Sequence, residues 1–218
     1  DVFKRTFAEI HDPLPHDFTS SSEKAKIKKD VKSSAWRFVI DKMQIDNFLS
    51  SKKKKEIMNL LENDDMPDFT TKNISDFITD ACLNVNNLVN DAVAEVFEFL
   101  KPHTGHKTNE YAKGMPQKVI LPYIVELGFS NNWNVKYHKK NSLKDLDNVF
   151  HLLDGNGGIK YPGDIVTVIE LTHKSRNYAE TKYFNLKLYK NGNLHLSFKN
   201  MTLANKIAEL GSSRLLHN

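Results

Sequence analysis

The sequence has very little cysteine: Cys82 is the single one among 218 residues. One thiol cannot form a disulfide within the chain, and it cannot supply the paired ligands of a zinc ribbon or finger. Disulfide-stapled small domains and cysteine-based zinc modules are therefore excluded. Sparse cysteine is also typical of proteins that work in a reducing compartment, so we expect a cytoplasmic protein.

Long apolar stretches are missing as well. No run approaches the roughly 20 apolar residues that a helix needs to span a bilayer. The first residues, Asp1 to Arg5, lack the apolar core of a signal peptide. Hydrophobic residues make up 39% of the chain and charged residues 27%, which suits a soluble globular protein. We therefore expect no membrane partner.

The familiar short motifs of nucleotide and acyl chemistry do not occur. There is no P-loop, no Gly-x-Gly-x-x-Gly, no Gly-x-Ser-x-Gly and no His-Glu-x-x-His. The Asp/Asn-Pro-Pro-Tyr tetrapeptide with which amino-methyltransferases hold the target amine is absent too. Gly155-Asn-Gly-Gly158 follows a predicted helix instead of a strand, which is the wrong context for a Rossmann phosphate loop. The sequence thus predicts no cofactor.

Two arrangements resemble metal sites, and neither is specific. His103 and His106 lie three apart in a polar segment, where histidines are more often exposed than bound to metal. Asp164, Glu170 and Lys174 contain the residue types of a metal-dependent nuclease. That site needs Glu-x-Lys on one strand, whereas a spacing of four is that of an ion pair along a helix. We therefore predict no metal site.

Positive charge is in modest excess and is clustered. The formal net charge is +4 and the pI about 8.9. Lysines concentrate between Lys24 and Lys32 and again at Lys52–Lys55. Such runs most often form solvated helix faces, and the alternative is contact with a phosphate backbone. The charge permits nucleic-acid binding without requiring it.

The order of apolar patterns predicts an α+β fold: an N-terminal helical bundle packed on a small antiparallel sheet, with a C-terminal β-hairpin and a closing helix. We expect an irregular N-terminal arm over residues 1–21, a helical part over 22–102 and an α+β part over 103–218, integrated into one domain. Lys118–Leu127 fits either a helix or a strand, and Trp133–Tyr137 alternates as a strand does.

Apolar residues at spacings of three and four predict the helices. The longest should place Cys82 in its buried stripe, Ser142 should cap a later one, and Gly211 should end the last. Pro162–Arg176 is ambiguous, and its capping signal favours a helix over a strand. The predicted helices run from about Glu23 to Met43 and over Lys52–Asn63, Lys72–Leu100, Leu143–Leu153, Pro162–Arg176 and Met201–Leu210.

Residues Tyr183–Phe198 give the clearest local signal, a β-hairpin. Asn191-Gly192 favours a two-residue type I′ turn, because both central residues must adopt positive φ. This turn pairs Leu188 with His195. In that register Lys187 and His195 lie on opposite faces, so they cannot serve one site.

The side chains near this turn form a candidate catalytic set. His195 can act as a general acid or base near neutral pH. Lys190 can stabilise a phosphate or an oxyanion, and Asn193 completes the set. The competing interpretation is a twisted hairpin with a structurally satisfied histidine.

The hairpin also carries a family resemblance. Tyr183-Phe184 and Tyr189-Lys-Asn-Gly-Asn-Leu-His-Leu-Ser-Phe198, followed by Leu203 and Lys206-Ile207, resemble the closing motif of DUF4942, a family of bacterial and phage proteins. Upstream similarities are Trp36-Arg37, Lys107-Thr-Asn109 with Lys113, and Leu143 to Gly155 with its Leu-Asp-Gly ending. Together they cover about residues 33 to 212 in the order that the family has.

The resemblance implies a bacterial or mobile-element protein. The residues that match the family's Lys-Asn-Gly-Asn-x-His core are Lys190, Asn191, Gly192, Asn193 and His195, and its central polar pair is matched by Thr108 and Asn109. Some members have been labelled methyltransferases, and the motifs of this chain give that label no support.

These observations lead us to expect a nucleic-acid-acting protein of a phage, plasmid or prophage. Thr108, Asn109 and Lys113 would join Lys190 in binding nucleic acid. For an enzyme, the expected reaction is nuclease-like, metal-independent phosphodiester chemistry with His195 as the acid–base group. One alternative is a non-catalytic interaction protein that targets a host defence or replication enzyme. Another is a nucleotide-using transferase, which would need a closed pocket near His195.

Overall fold

The structure is a computed structural model, and it describes residues 21–101, 114–128, 131–159 and 162–215. Contacts divide the chain into two compact units. Unit 1 comprises Asp1–Asp46 and Lys52–Asn84, and unit 2 comprises Asn47–Ser51 and Val85–Asn218.

Within the described ranges the chain forms six α-helices and six strands. The helices are α1 (Ser21–Met43), α2 (Ser51–Glu62), α3 (Thr71–Leu100), α4 (Tyr137–Leu153), α5 (Ile165–Leu171) and α6 (Met201–Leu215). The strands are β1 (Lys118–Leu121), β2 (Val125–Leu127), β3 (Trp133–Val135), β4 (Tyr178–Glu180), β5 (Phe184–Leu188) and β6 (Leu194–Phe198). An N-terminal helical region, a small antiparallel sheet and a closing helix confirm the α+β class. In the described part of the chain, no helix has both the length and the apolar character that crossing a bilayer requires.

The described part of unit 1 is helical, and Trp36 lies at its centre. The Trp36 side chain is fully buried, and its Nε1–H donates to the carbonyl of Pro67 at 2.9 Å. Its ring packs edge-on against Phe69 and Phe77, with centroid separations of 5.5 and 5.3 Å. A buried indole needs both apolar contacts and a partner for its N–H. Trp36 has both, so it ties α1 to α3 and to the segment between α2 and α3.

Helix α3 contributes to both units. Thr70 caps it, because its Oγ1 accepts the N–H of Asn73 at 3.2 Å. The C-terminal part of α3 supplies Val93 and other apolar residues to the core of unit 2. Cys82 is exposed, so the prediction that it lies in a buried stripe is wrong. Of residues 78–84 only Ala81 is buried, which means that the buried side of the helix is narrow there.

Unit 2 is built on a four-stranded antiparallel sheet with the order β1-β6-β5-β4, and β2 pairs with β3 in a separate ribbon. One face of the four-stranded sheet is buried in the hydrophobic core with residues of α3, α4, α5 and α6. The side chains on this face are Val119, Leu121, Ala179, Phe184, Leu186, Leu188, Leu194, Leu196 and Phe198. The segment Lys118–Leu127, which fitted either a helix or a strand, thus forms β1 and β2.

Helix α4 begins earlier than predicted. Its N-cap is Lys136 and its first residue Tyr137, so Ser142 lies inside the helix and does not cap it. The Lys136 N–H donates to the carbonyl of Ile124 at 2.9 Å, which fixes the chain where it leaves β3 and starts the helix. A tertiary contact therefore decides this boundary. The helix expected over Pro162–Arg176 is confirmed for its central part only, as α5, because Thr172 is already extended and His173 forms a β-bridge with Asn132.

Gly211 does not end the last helix, which continues to Leu215. A Cβ atom built on Gly211 would overlap the side chain of Phe97 on α3. The residue is therefore glycine because α6 approaches α3 closely, and not because the backbone adopts positive φ there.

This contact gives a stability prediction. Alanine normally stabilises a helix interior by about 1 kcal/mol relative to glycine. Overpacking a filled core costs about 1–3 kcal/mol, so for Gly211→Ala we expect a net loss of about 1 kcal/mol in the free energy of unfolding. Urea denaturation followed by circular dichroism measures it. Ser213→Ala, at an exposed position of α6, is the control and should change stability by less than about 0.5 kcal/mol. A more stable Gly211→Ala variant would show that the two helices are not in close contact.

Candidate functional site

The hairpin closes with a three-residue loop. The Tyr189 N–H donates to the carbonyl of Asn193 at 3.0 Å, and the Gly192 N–H donates to the carbonyl of Tyr189 at 2.9 Å. Gly192 has a φ of 92°, whereas Lys190 and Asn191 do not have positive φ. This is a type I turn followed by a left-handed glycine. The predicted type I′ turn at Asn191-Gly192 is therefore wrong.

The longer loop shifts the strand register by one residue. Leu188 pairs with Leu194, and Lys187 pairs with His195. Lys187 and His195 thus lie side by side on one face, which corrects the prediction that they are on opposite faces. Because side chains alternate along a strand, the same shift brings all the apolar residues of the hairpin onto the core face.

The second face of the sheet is polar, and we call it the hairpin surface. It consists of Lys118, Ile120, Tyr178, Glu180, Asn185, Lys187, Tyr189, His195 and Ser197, whose side chains share one side of the sheet. None of these residues is buried, whereas the residues that alternate with them in the strands are. Lys118, Tyr178, Glu180 and Lys187 are exposed, and the other residues of the surface are half-buried.

An aromatic pair lies on the hairpin surface. The rings of Tyr189 and His195 are 4.2 Å apart between centroids and are inclined at 38°. The Lys187 ammonium lies 5.5 Å from the centre of the Tyr189 ring. At the outer strand, the Tyr178 hydroxyl donates to Oδ1 of Asn185 at 2.8 Å. The sheet therefore places the rings of Tyr189 and His195 and the ammonium group of Lys187 next to one another.

The hairpin loop is fixed by the segment between β1 and β2. The carbonyl of Gly192 accepts the N–H groups of Ile124 and Val125, at 2.8 and 3.1 Å. Tyr123, next to this contact, has a φ of 56° and is 65% exposed. The Lys136 ammonium lies 5.4 Å from its ring centre. Positive φ is costly for a bulky residue and is often retained at functional positions, so we include Tyr123 and Lys136 among the candidate binding residues.

The three predicted catalytic residues have different positions. His195 is half-buried on the hairpin surface, next to Tyr189 and Lys187. Lys190 is exposed in the loop. Asn193 is half-buried beside the loop, and its backbone N–H donates to Oδ1 of Asn191 at 3.1 Å. The structure thus gives His195 two neighbours, Lys187 and Tyr189, that the predicted register had kept away from it.

Other predicted groups lie elsewhere or are not described. Thr108, Asn109 and Lys113, with His103 and His106, fall outside the described residues. Glu170 does not pair with Lys174 but with Lys140, at 2.8 Å, because α5 ends at Leu171. Among the described residues, no group of three His, Cys, Asp or Glu side chains is arranged to hold a metal ion.

A second polar cluster lies at the end of β5 that is opposite the hairpin loop. The Tyr183 hydroxyl donates to Oδ2 of Asp154 at 2.8 Å, and the Lys182 ammonium lies 3.1 Å from the same oxygen. These hydrogen bonds, first that of Tyr183 and then that of Lys182, lower the pKa of Asp154. Beside the cluster is a cavity of about 570 Å³. Its lining residues are His151, Asn156, Gly158, Gly163, Val168, Glu180, Thr181, Lys182 and Lys199.

A buried carboxylate, that of Asp147, lies next to His151, which lines the cavity. Asp147 is 1% exposed, and its Oδ2 accepts the N–H of Ile165 at 2.9 Å. Its Oδ1 has no hydrogen-bond partner among the described residues, and the Nε2 of His151 is 3.9 Å away. Burial, and to a lesser degree Asp164, raises the pKa of Asp147 to about 6, although the hydrogen bond from Ile165 opposes the shift. Burial also lowers the pKa of His151.

Neither Asp147 nor His151 was predicted as a site residue, although the sequence contains a signal for Asp147. Asp147 follows Leu146 and precedes Val149 in the apolar stripe of α4, so a carboxylate occupies a position that faces the core. Such a position is rare for an aspartate unless a hydrogen bond or a charge compensates it.

Two segments that carried the family resemblance meet in the cluster. The Leu-Asp-Gly ending of the α4 segment supplies Asp154, and the start of the hairpin motif supplies Tyr183. The family model described as Domain of unknown function (DUF4942) matches residues 28–214. The chain belongs to this family. No curated protein and no solved structure matches it. In this DUF4942 protein, the Lys-Asn-Gly-Asn part of the motif forms the hairpin loop, and its histidine lies on the hairpin surface.

Proposed function

We propose that the hairpin surface binds single-stranded nucleic acid. The observation that carries this proposal is the half-buried Tyr189–His195 ring pair with the exposed Lys187 beside it on one sheet face. Unpaired bases expose both of their flat faces, and each base that stacks on an aromatic side chain contributes about 1–3 kcal/mol. A duplex hides those faces within its own stack, so the surface favours single strands.

The charge of the hairpin surface suits a phosphate backbone. Lys118 and Lys187 are both exposed on it, and Lys190 extends from the loop at its end. Glu180 is the one acidic residue of the hairpin surface, and it pairs with Lys199 at 3.1 Å. The surface therefore keeps an excess of cations, which attract phosphates in a salt-dependent way.

The same residues of the hairpin surface could also catalyse cleavage of the bound strand. Cleavage of a phosphodiester without metal needs a group that moves a proton and a cation that stabilises the developing charge on phosphate. His195 and Lys187 are cross-strand neighbours and provide these two groups beside the ring on which a base would stack. We propose nuclease-like chemistry at His195 as the enzymatic form of this function.

Loss of the Tyr189 ring should weaken binding. For Tyr189→Ala, we expect an affinity for a fluorescent single-stranded oligonucleotide about tenfold lower than that of the wild type, because one stacking platform is lost. Lys187→Ala should weaken binding and also reduce its salt dependence. Fluorescence anisotropy with DNA and RNA strands at two salt concentrations measures both effects.

Two controls make this test specific. Tyr189→Phe keeps the ring and should bind within about twofold of the wild type. Lys72→Ala removes a lysine of unit 1 that is 85% exposed and should leave affinity unchanged. If the wild type shows no salt-sensitive binding, the proposal fails. If binding occurs but RNA and DNA remain intact in the presence of chelator, the catalytic extension at His195 fails alone.

A further inference from the structure

The cavity beside His151 adjoins the hairpin surface at Glu180 and is otherwise lined by different residues, and we propose that it binds a small phosphate-bearing molecule. Its volume of about 570 Å³ lies within the range of small-molecule sites in proteins. The cavity lies near Tyr183, which precedes β5. Tyr189, which contacts His195, follows the other end of that strand. The cavity site therefore goes beyond the proposed nucleic-acid function and can be tested independently.

Two lysines on the cavity wall are held in place by the protein. Lys182 lies 3.1 Å from Asp154 Oδ2 and 4.9 Å from the ring centre of Tyr183. Lys199 lies 3.1 Å from Glu180 Oε2 and donates to the carbonyl of Thr181 at 2.7 Å. An ammonium group has three donors, so each lysine keeps at least one for a ligand. Exposed ion pairs of this kind are weak, which leaves both cations available to a dianion.

The buried carboxylate of Asp147 is a second, independent observation that indicates an anion site. Asp147 Oδ1 lacks a hydrogen-bond partner in the described residues, and His151 lies between it and the cavity with Nε2 at 3.9 Å. A buried acceptor without a partner is costly. A proton on His151 would satisfy Asp147, but burial and the charge of Lys182 disfavour the imidazolium.

An anion in the cavity makes protonation of His151 more favourable. Its negative charge compensates Lys182 and stabilises the protonated ring, whose Nε2–H can then donate to Asp147. Binding one anion is thereby coupled to the uptake of one proton by the Asp147–His151 pair. The other groups that act on this pair are Asp154 and Lys182 on His151, and Asp164 on Asp147. Because Asp154 and Glu180 offset the charge of the two lysines, selectivity depends on the donors: the free N–H groups of Lys182 and Lys199 can serve the several oxygens of a phosphate, whereas a carboxylate has only two.

Sulfate is the probe for this test because its own charge does not change near neutral pH. Any pH dependence of sulfate binding therefore comes from groups of the protein. We expect calorimetry of the full chain to show sulfate binding that is about tenfold tighter at about pH 6 than at about pH 8. Inorganic phosphate should compete with sulfate, and acetate should not. His151→Gln should bind sulfate with little dependence on pH, and Lys182→Met should weaken binding by about tenfold.

The matched control is Lys144→Met, which removes an exposed lysine of α4 outside the cavity lining and should bind sulfate as the wild type does. Three results would overturn the inference: no sulfate binding by the folded wild type at either pH, equal binding by wild type and Lys182→Met, or acetate competing as well as phosphate. Tyr189→Ala should retain sulfate binding. This keeps failure of the cavity site distinguishable from failure of nucleic-acid binding at the hairpin surface.

Discussion

Replacement of Phe150 by alanine is expected to lower the free energy of unfolding of unit 2 by about 3–5 kcal/mol. Phe150 is fully buried in α4. Its ring lies 4.7 Å from that of Phe184 and 5.6 Å from that of Phe198, between centroids. It also lies 5.5 Å from the ring of Tyr183. Truncation removes these contacts and leaves a cavity under the hairpin, and urea denaturation monitored by tryptophan fluorescence measures the loss.

Two comparisons isolate the ring contacts. Phe150→Leu keeps most of the volume and should cost less than about 1.5 kcal/mol. Phe38→Ala removes a ring of unit 1 that is 40% exposed and should cost much less than Phe150→Ala. A loss below about 1 kcal/mol for Phe150→Ala would contradict its assignment to the centre of the core.

The second large effect concerns Asp147. The pKa of Asp147 is raised from 3.8 to about 6 in the folded protein. Between these two values the folded state binds more protons than the unfolded state, so stability falls as the pH rises through this window. Above it, the buried charge destabilises the fold by up to about 3 kcal/mol. Asp147→Asn should therefore raise the free energy of unfolding by about 1–3 kcal/mol at neutral pH.

The pH dependence distinguishes this effect from a change in packing. In the Asp147→Asn variant, the new amide oxygen can still accept the Ile165 N–H, and the new NH2 group faces neutral His151, which is an acceptor. The gain in the free energy of unfolding should thus be present at about pH 8. It should become small at about pH 3, where the wild-type carboxyl is mostly neutral in both the folded and the unfolded state. Denaturation curves across this range measure it. A destabilised variant at about pH 8 would show that the ionised carboxylate is better compensated than the contacts indicate.

The two proposed sites share one strand. Tyr183, which precedes β5, bonds Asp154 beside the cavity, and Tyr189, which follows β5, stacks on His195. The six residue steps between them span about 20 Å in an extended strand. One small ligand therefore cannot contact both ends of β5, and Tyr189→Ala and Lys182→Met should act independently.

The sequence by itself predicted most of the helices and the two strands of the hairpin, but it left Lys118–Leu127 open and did not predict β4. Apolar spacing placed α1, α2 and α3 and the strands of the hairpin, because burial of one face is recorded in the order of residues. Asp164 identified the start of α5, because its side chain accepts the N–H of Thr167 at 3.1 Å within the same turn. The family motif also indicated the hairpin, and its histidine lies half-buried on the hairpin surface.

Only the tertiary structure decided how these segments meet. The hairpin register depends on whether Gly192 ends a three-residue loop, and its contact with Ile124 and Val125 is formed by a distant part of the chain. Gly211 has the sequence appearance of a helix end, yet the approach of Phe97 explains it. The pKa shifts of Asp147 and His151 arise only in the folded protein, because burial causes them and burial is a property of the packed fold.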